Sequence, residues 1–172
     1  MSALHQFNLE YNAEQDRLLF RMSTRDGTEI RLWLTRRFVK RLWSLLTKLL
    51  EHDPHVSAQT DPVAKKSVVA FQRDSAITQS DFSKNFEEKS TPALPLGEEP
   101  VLVTKCKATP TATGFTLAFS PDEGQQVSVS LNVQYLHSLT HLMFEAFKKT
   151  DWDLNLTIAG ALAPAERPER LM

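Results

Sequence analysis

The sequence predicts an α+β protein of two tandem β-β-β-α units. The units are related by a pseudo-twofold, have antiparallel sheets and one packed helix each, and are joined by a helical insert. Three observations carry this expectation: an internal repeat, the same switch from period-2 to period-3.6 hydrophobicity in both copies, and a change of composition between them. At an offset of 97 residues, Asp16–Leu50 aligns without a gap on Thr113–Phe147. Leu18, Phe20 and Met22 fall on Phe115, Leu117 and Phe119, and Gly27 falls on Gly124. Ile30, Leu32 and Leu34 fall on Val127, Val129 and Leu131. Phe38, Leu42, Leu45, Leu46 and Leu50 fall on Tyr135, Leu139, Leu142, Met143 and Phe147.

Each element follows from its residues. His5–Tyr11 alternates with Phe7, Leu9 and Tyr11 in phase, as strands do. Residues 17–24 turn Leu18, Phe20 and Met22 to one face. Arg25-Asp26-Gly27-Thr28 is a turn, because Asp and Gly tolerate the positive φ of a tight hairpin. Residues 29–34 alternate with Ile30, Leu32 and Leu34 inward. Thr35, and Asn132 at the matching place, are N-caps for helices over about 36–51 and 133–149. The second unit begins with a strand over Val101–Ala108, where Cys106 stands in the place of Leu9. A last alternation, Trp152, Leu154, Leu156 and Ile158, suggests one more strand.

The units are expected over 1–52 and 101–160, the insert and its Pro/Glu-rich linker over 53–100, and a flexible tail over 161–172, all in one compact domain. In the insert, Asp61-Pro62 caps and starts a helix with a thin apolar stripe of Ala64, Val68 and Phe71. Phe82 and Phe86, four apart, can dock a second short helical turn. EEKSTPALPLGEEP has the composition of a linker.

Composition bounds the function. The 172 residues are 41% hydrophobic and 24% charged, which is ordinary globular material. No apolar run approaches the roughly 18 residues of a membrane span. The first residues lack the cationic and apolar stretches of a secretory signal. A single cysteine, Cys106, allows no internal disulfide and fits a reducing compartment, so a cytoplasmic location is expected. The net charge of −1 hides an asymmetry: residues 1–50 carry nine Lys/Arg against five Asp/Glu, and residues 51–100 carry five against nine. Such a basic third implies an acidic partner or pairing with the acidic third.

The copies agree inward and differ outward. Leu19, Arg21, Arg31 and Trp33 correspond to Thr116, Ala118, Ser128 and Ser130 on the sheet face away from the helix. Arg36, Arg37, Lys40, Arg41 and Lys48 correspond to Val133, Gln134, His137, Ser138 and Glu145. The candidate binding residues are therefore Arg21, Arg31, Trp33, Arg36, Arg37, Lys40 and Arg41. The first expectation is that Trp33 and Leu19 are covered by the insert, through Val68, Phe71 or Phe82, while the arginines pair with the acidic third. Self-association across this face comes second. Single-stranded nucleic acid, held by arginines on phosphates and a base on the indole, comes third, since one aromatic is a poor stacking platform.

The basic amphipathic helix over 36–51 has the form of a membrane-surface or groove-binding segment. Its apolar side matches the second helix, so it is expected to pack on its own sheet and not on a membrane. Trp43 faces sideways, towards a contact between units or subunits. His137 and His141, at i, i+4, have metal-pair spacing, but without HExxH they are expected to be surface histidines. Cys106 is expected to be a small core residue. There is no nucleophile elbow, no phosphate-binding glycine loop and no paired carboxylates in an apolar setting. No cofactor is implied, and a non-catalytic binding or assembly protein is expected, the alternative being a single-stranded nucleic-acid binder.

EIRLWLTRRFVKRLW resembles segments of bacterial proteins to which no activity is assigned, so that likeness implies no function. The layout is loosely similar to Whirly and Pur-type repeats, in which strands followed by a helix occur twice and single-stranded nucleic acid is bound. Those repeats place four strands before each helix, and three are found here. None of their residue motifs is present, so no binding residues are carried over.

Overall fold

In the computed structural model, which describes residues 3–80, 86–88, 91–154 and 156, the repeat is realised element by element. Strands β1 (Leu4–Asn12), β2 (Arg17–Thr24) and β3 (Glu29–Thr35) form an antiparallel meander, and α1 (Arg36–Glu51) follows directly. An insert with α2 (Pro54–Ser57), α3 (Pro62–Gln79) and the short β4 (Val101–Leu102) comes next. The pattern then recurs as β5 (Lys105–Pro110), β6 (Gly114–Ser120), β7 (Val127–Asn132) and α4 (Val133–Phe147).

The punctuation is repeated as well as the pattern. Gly27 and Gly124 both take a positive φ, 90° and 123°, which a residue with a side chain rarely adopts. The Thr35 hydroxyl accepts the Phe38 N–H at 3.2 Å, and the Asn132 side chain accepts the Tyr135 N–H at 2.8 Å. Each cap satisfies a donor that the first helical turn leaves unpaired.

The inward strand residues of both units and the helices' apolar faces share one core. Phe20 meets Phe119 with ring centroids 5.9 Å apart, and Trp43 on α1 meets Phe144 on α4 at 6.3 Å. Trp43 is thus the contact between units that its sideways position suggested. α4 packs on β1 and α1 packs on β5, reciprocal contacts of the kind a twofold generates. Leu18, Leu32, Leu46, Leu117 and Leu136 are wholly buried. Each such side chain stabilises the fold by roughly 1.5–3 kcal/mol.

Several expectations are corrected. Val101–Ala108 is not one strand, and Cys106, which faces Phe119 as Phe7 faces Met22, stands in the place of Phe7 and not of Leu9. Val101–Leu102 pairs in parallel with β3, and the chain then crosses to the second sheet. The Val103 N–H donates to the Trp33 carbonyl at 3.3 Å, and the Thr104 N–H to the Ser120 carbonyl at 3.0 Å. Ile30 is half-buried and does pack on the core, but Glu29 beside it is buried as well. Trp152, Leu154 and Leu156 form no strand. Trp152 is buried against the first unit, and Leu154 and Leu156 pack on the core. Ile158, Phe82 and the tail over 161–172 lie outside the described residues.

The insert lies elsewhere than expected. Asp61 does cap α3, its side chain accepting the Val63 N–H at 3.2 Å. The buried side of α3 is Val69 and Ala76, however, and Phe71 is 73% exposed. That side packs on α4, not on the outer face of the first sheet. Asp53 secures the junction: it caps α2 and accepts from the Gln72 Nε2 at 3.0 Å. Because α3 covers α4, His137 and Ser138 are buried, while Lys40 and Arg41 at the corresponding positions of α1 are exposed. This explains why the copies diverged in charge. A Lys or Arg at a covered position loses its hydration, so Lys40 and Arg41 have His137 and Ser138 as counterparts.

Candidate partner-binding site

The seven candidate residues form two groups on opposite sides of the first sheet. Arg21 and Arg31 are a cross-strand pair on its outer face. Between them lies Glu29, only 4% exposed, whose Oε1 accepts from Arg21 Nε at 3.0 Å and from Arg31 Nε at 2.7 Å. Burial pushes the Glu29 carboxyl up, but hydrogen bonds from Arg31 and Arg21 outweigh it and hold the group below its ordinary value. Sequence reasoning missed Glu29. The available signal was an acid two residues from Arg31 on the same strand face.

The acidic third reaches this face through residues 86–88. Glu88 accepts from Arg21 at 3.0 Å, and the Phe86 ring lies 4.3 Å from the Arg21 guanidinium carbon. Phe86 therefore acts as a cover on an arginine and belongs to no helical turn. Glu87 follows the same path, its N–H donating to the Gln6 side chain at 2.9 Å. Arg31 also donates to the Glu98 carbonyl at 3.3 Å. The expected pairing with the acidic third thus holds for Arg21. The expected cover for Leu19 and Trp33 by Val68 or Phe71 does not, since α3 is on α4. Both Leu19 and Trp33 are half-buried, and β4 sets Leu102 beside Trp33.

Arg36, Arg37, Lys40 and Arg41 are exposed on α1. Phe38, Val39, Leu42, Trp43 and Leu46 turn the other side of that helix into the core. The cations begin at the helix N-terminus, with no acid in the first turn. Arg36, Arg37 and Lys40 share a shallow cavity of about 480 Å³ with Arg17, Asp16 and Asp153. Asp16, at φ 51°, is held there as a clasp: it accepts the Tyr11 hydroxyl at 2.8 Å and the Trp152 indole N–H at 2.6 Å. Those two hydrogen bonds, with a contribution from Arg36, keep its carboxyl below the usual value.

The histidine pair is also relocated. His137 is 1% exposed, not a surface residue, because α3 lies over it. Neither ring nitrogen has a hydrogen-bond partner among the described residues. Burial, then Arg73, lower its pKa to about 4, opposed by Asp53. Among the described residues no three His, Cys, Asp or Glu side chains gather as metal ligands. Cys106 is half-buried and packs against the core, with its thiol pushed up to about 12 by burial. No described helix is long and apolar enough to cross a membrane.

Comparison with protein families, curated proteins and solved structures finds no match to this chain.

Proposed function

We propose that this chain is a non-catalytic binding or assembly protein that recognises an acidic protein surface through the exposed side of α1. One observation carries the reading: the cations of α1 stand where a helix by itself would not favour them. Arg36 and Arg37 occupy the first turn, where the helix dipole disfavours positive charge. Arg36–Lys40 and Arg37–Arg41 are like-charge pairs at i, i+4. Each such term destabilises by a few tenths of a kcal/mol. An acidic surface laid along the helix offsets all of them at once. At the covered positions of α4 the same charges are lacking, so the repeat itself separates the need to fold from the presence of the stripe.

The outer sheet face contributes less than the sequence suggested, because Arg21 and Arg31 are already bound to Glu29 and Arg21 also to Glu88. That occupation weakens the single-stranded nucleic-acid reading, which needs those guanidinium groups for phosphates.

The test is fluorescence anisotropy with a labelled polyglutamate peptide and a labelled oligothymidylate, at rising salt. The reading expects the peptide to bind and salt to weaken it. It also expects loss of binding in the Arg36→Glu, Arg37→Glu, Lys40→Glu, Arg41→Glu variant, without change in the far-ultraviolet spectrum. Preference for the oligonucleotide moves the function to nucleic acid. Failure of the wild type to bind either probe overturns the assignment of the stripe.

A further inference from the structure

The pseudo-twofold makes two equivalent notches, and only one of them is filled. In the first, the β1–β2 turn, the start of α1 and the segment after α4 enclose Trp152, which is 5% exposed. Its ring stands edge-on to Tyr11 with centroids 5.8 Å apart, and its N–H donates to Asp16. The second notch uses the corresponding pieces: the β5–β6 turn, the start of α4 and the segment after α1. Strand pairing places Pro110 at Tyr11, since Pro110 faces Phe115 as Tyr11 faces Leu18, and the offset that maps the units places Thr113 at Asp16 and His55 at Trp152. Proline is smaller than tyrosine and histidine smaller than tryptophan, and a cavity of about 830 Å³ is left. That is within the roughly 300–1,000 Å³ range of small-molecule sites.

The walls and the charge define what fits. Leu49, Pro54, Ala108, Pro110 and Phe115 give apolar walls. The acidic pole that receives an indole N–H in the filled notch is a threonine here. The rim instead carries Lys48, His52 and His55. Asp53, also at the cavity, is turned to its own partners: it accepts the His55 N–H and the Gln72 side chain, both at 3.0 Å. The open notch thus lacks the acidic acceptor of the filled one and keeps Lys48 at its rim.

We infer that the open notch binds a small planar aromatic molecule bearing a carboxylate, its ring in the place that Trp152 takes in the other unit and its anion towards Lys48. This site lies apart from the basic stripe of α1 and does not depend on the function proposed for it.

Isothermal titration of the full chain with indole-3-acetate, indole and tryptamine tests the assignment. The expected order is indole-3-acetate tightest and tryptamine weakest. Lys48→Glu, at an exposed position, should weaken indole-3-acetate by about fivefold and narrow or reverse the order. Pro110→Tyr, which copies the residue of the filled notch, should abolish binding of all three. Ala112→Trp, at the exposed turn, should do so as well, and serves if the strand variant does not fold. The inference is overturned if no probe gives saturable heat, if tryptamine binds tightest, or if the variants leave binding unchanged.

Discussion

Replacing His137 by leucine should stabilise this protein and remove about 3 kcal/mol of its loss of stability between pH 6.5 and about 4. The imidazole is buried beneath α3, and its two nitrogens meet no partner among the described residues. Burial first, then the Arg73 charge, disfavour its protonated form. The folded pKa is about 4 against an ordinary 6.5. The unfolded chain therefore takes up a proton in that window and the folded chain does not, so stability falls as pH drops through it and levels off below the folded value. A difference of roughly 2.5 units, at 1.36 kcal/mol each, makes this one group responsible for about 3 kcal/mol. That is a large share of the roughly 5–15 kcal/mol that holds a domain folded. At neutral pH the leucine variant also removes unpaired buried polar atoms, each worth about 1–3 kcal/mol. Urea melts of both proteins at neutral and acid pH measure the effect, with His141 and the carboxylates common to the two. Parallel loss of stability in wild type and variant, or a less stable variant at neutral pH, would refute the seating of α3 on α4.

Other consequences are shorter to state. Leu34→Ala and Leu131→Ala, at equivalent buried positions 1% and 4% exposed, should each destabilise by about 2–5 kcal/mol in denaturant melts. A silent result at either would show that the inward face of that unit is misassigned. Glu29→Gln should destabilise by about 3 kcal/mol, because Arg21 and Arg31 lose the buried charge between them. The folded pKa of Glu29 is depressed, so its contribution is present above the ordinary carboxylate value of 4.5 and lost as pH falls through the folded one. Guanidinium melts at neutral pH that superpose for Glu29→Gln and wild type would remove Glu29 from the account.

What the sequence disclosed was local. The alternation of Leu18, Phe20 and Met22, the turn glycines Gly27 and Gly124, and the caps Thr35 and Asn132 depend on neighbours a few residues away, and all are found in place. The crossing after Val103 did leave a mark that sequence reasoning missed: the apolar phase slips from Val101 and Val103 to Cys106 and Ala108 where the backbone partners change from Trp33 to Ser120. The buried side of α3 was hidden because docking, not hydrophobic period, selects it: Val69 and Ala76 flank a polar Gln72 that bonds to Asp53. A usable signal was nonetheless present in α4. His137 and Ser138, replacing Lys40 and Arg41, mark a helix side prepared for a cover. In the candidate site, the exposed α1 cations were legible from amphipathicity. The neutralisation of Arg21 by Glu29, Glu88 and Phe86 needs three separate segments to meet, and no spacing encodes that.

The central claim is that two equivalent helix faces have opposite fates, that of α4 covered and that of α1 bare. Thiol labelling of Lys40→Cys and His137→Cys, each with Cys106→Ala, measures both faces directly. Lys40→Cys should react as fast as a thiol in an unstructured peptide. His137→Cys should react only through opening of the α3–α4 contact, slower by about a thousandfold or more. Equal rates at the two positions would contradict the account.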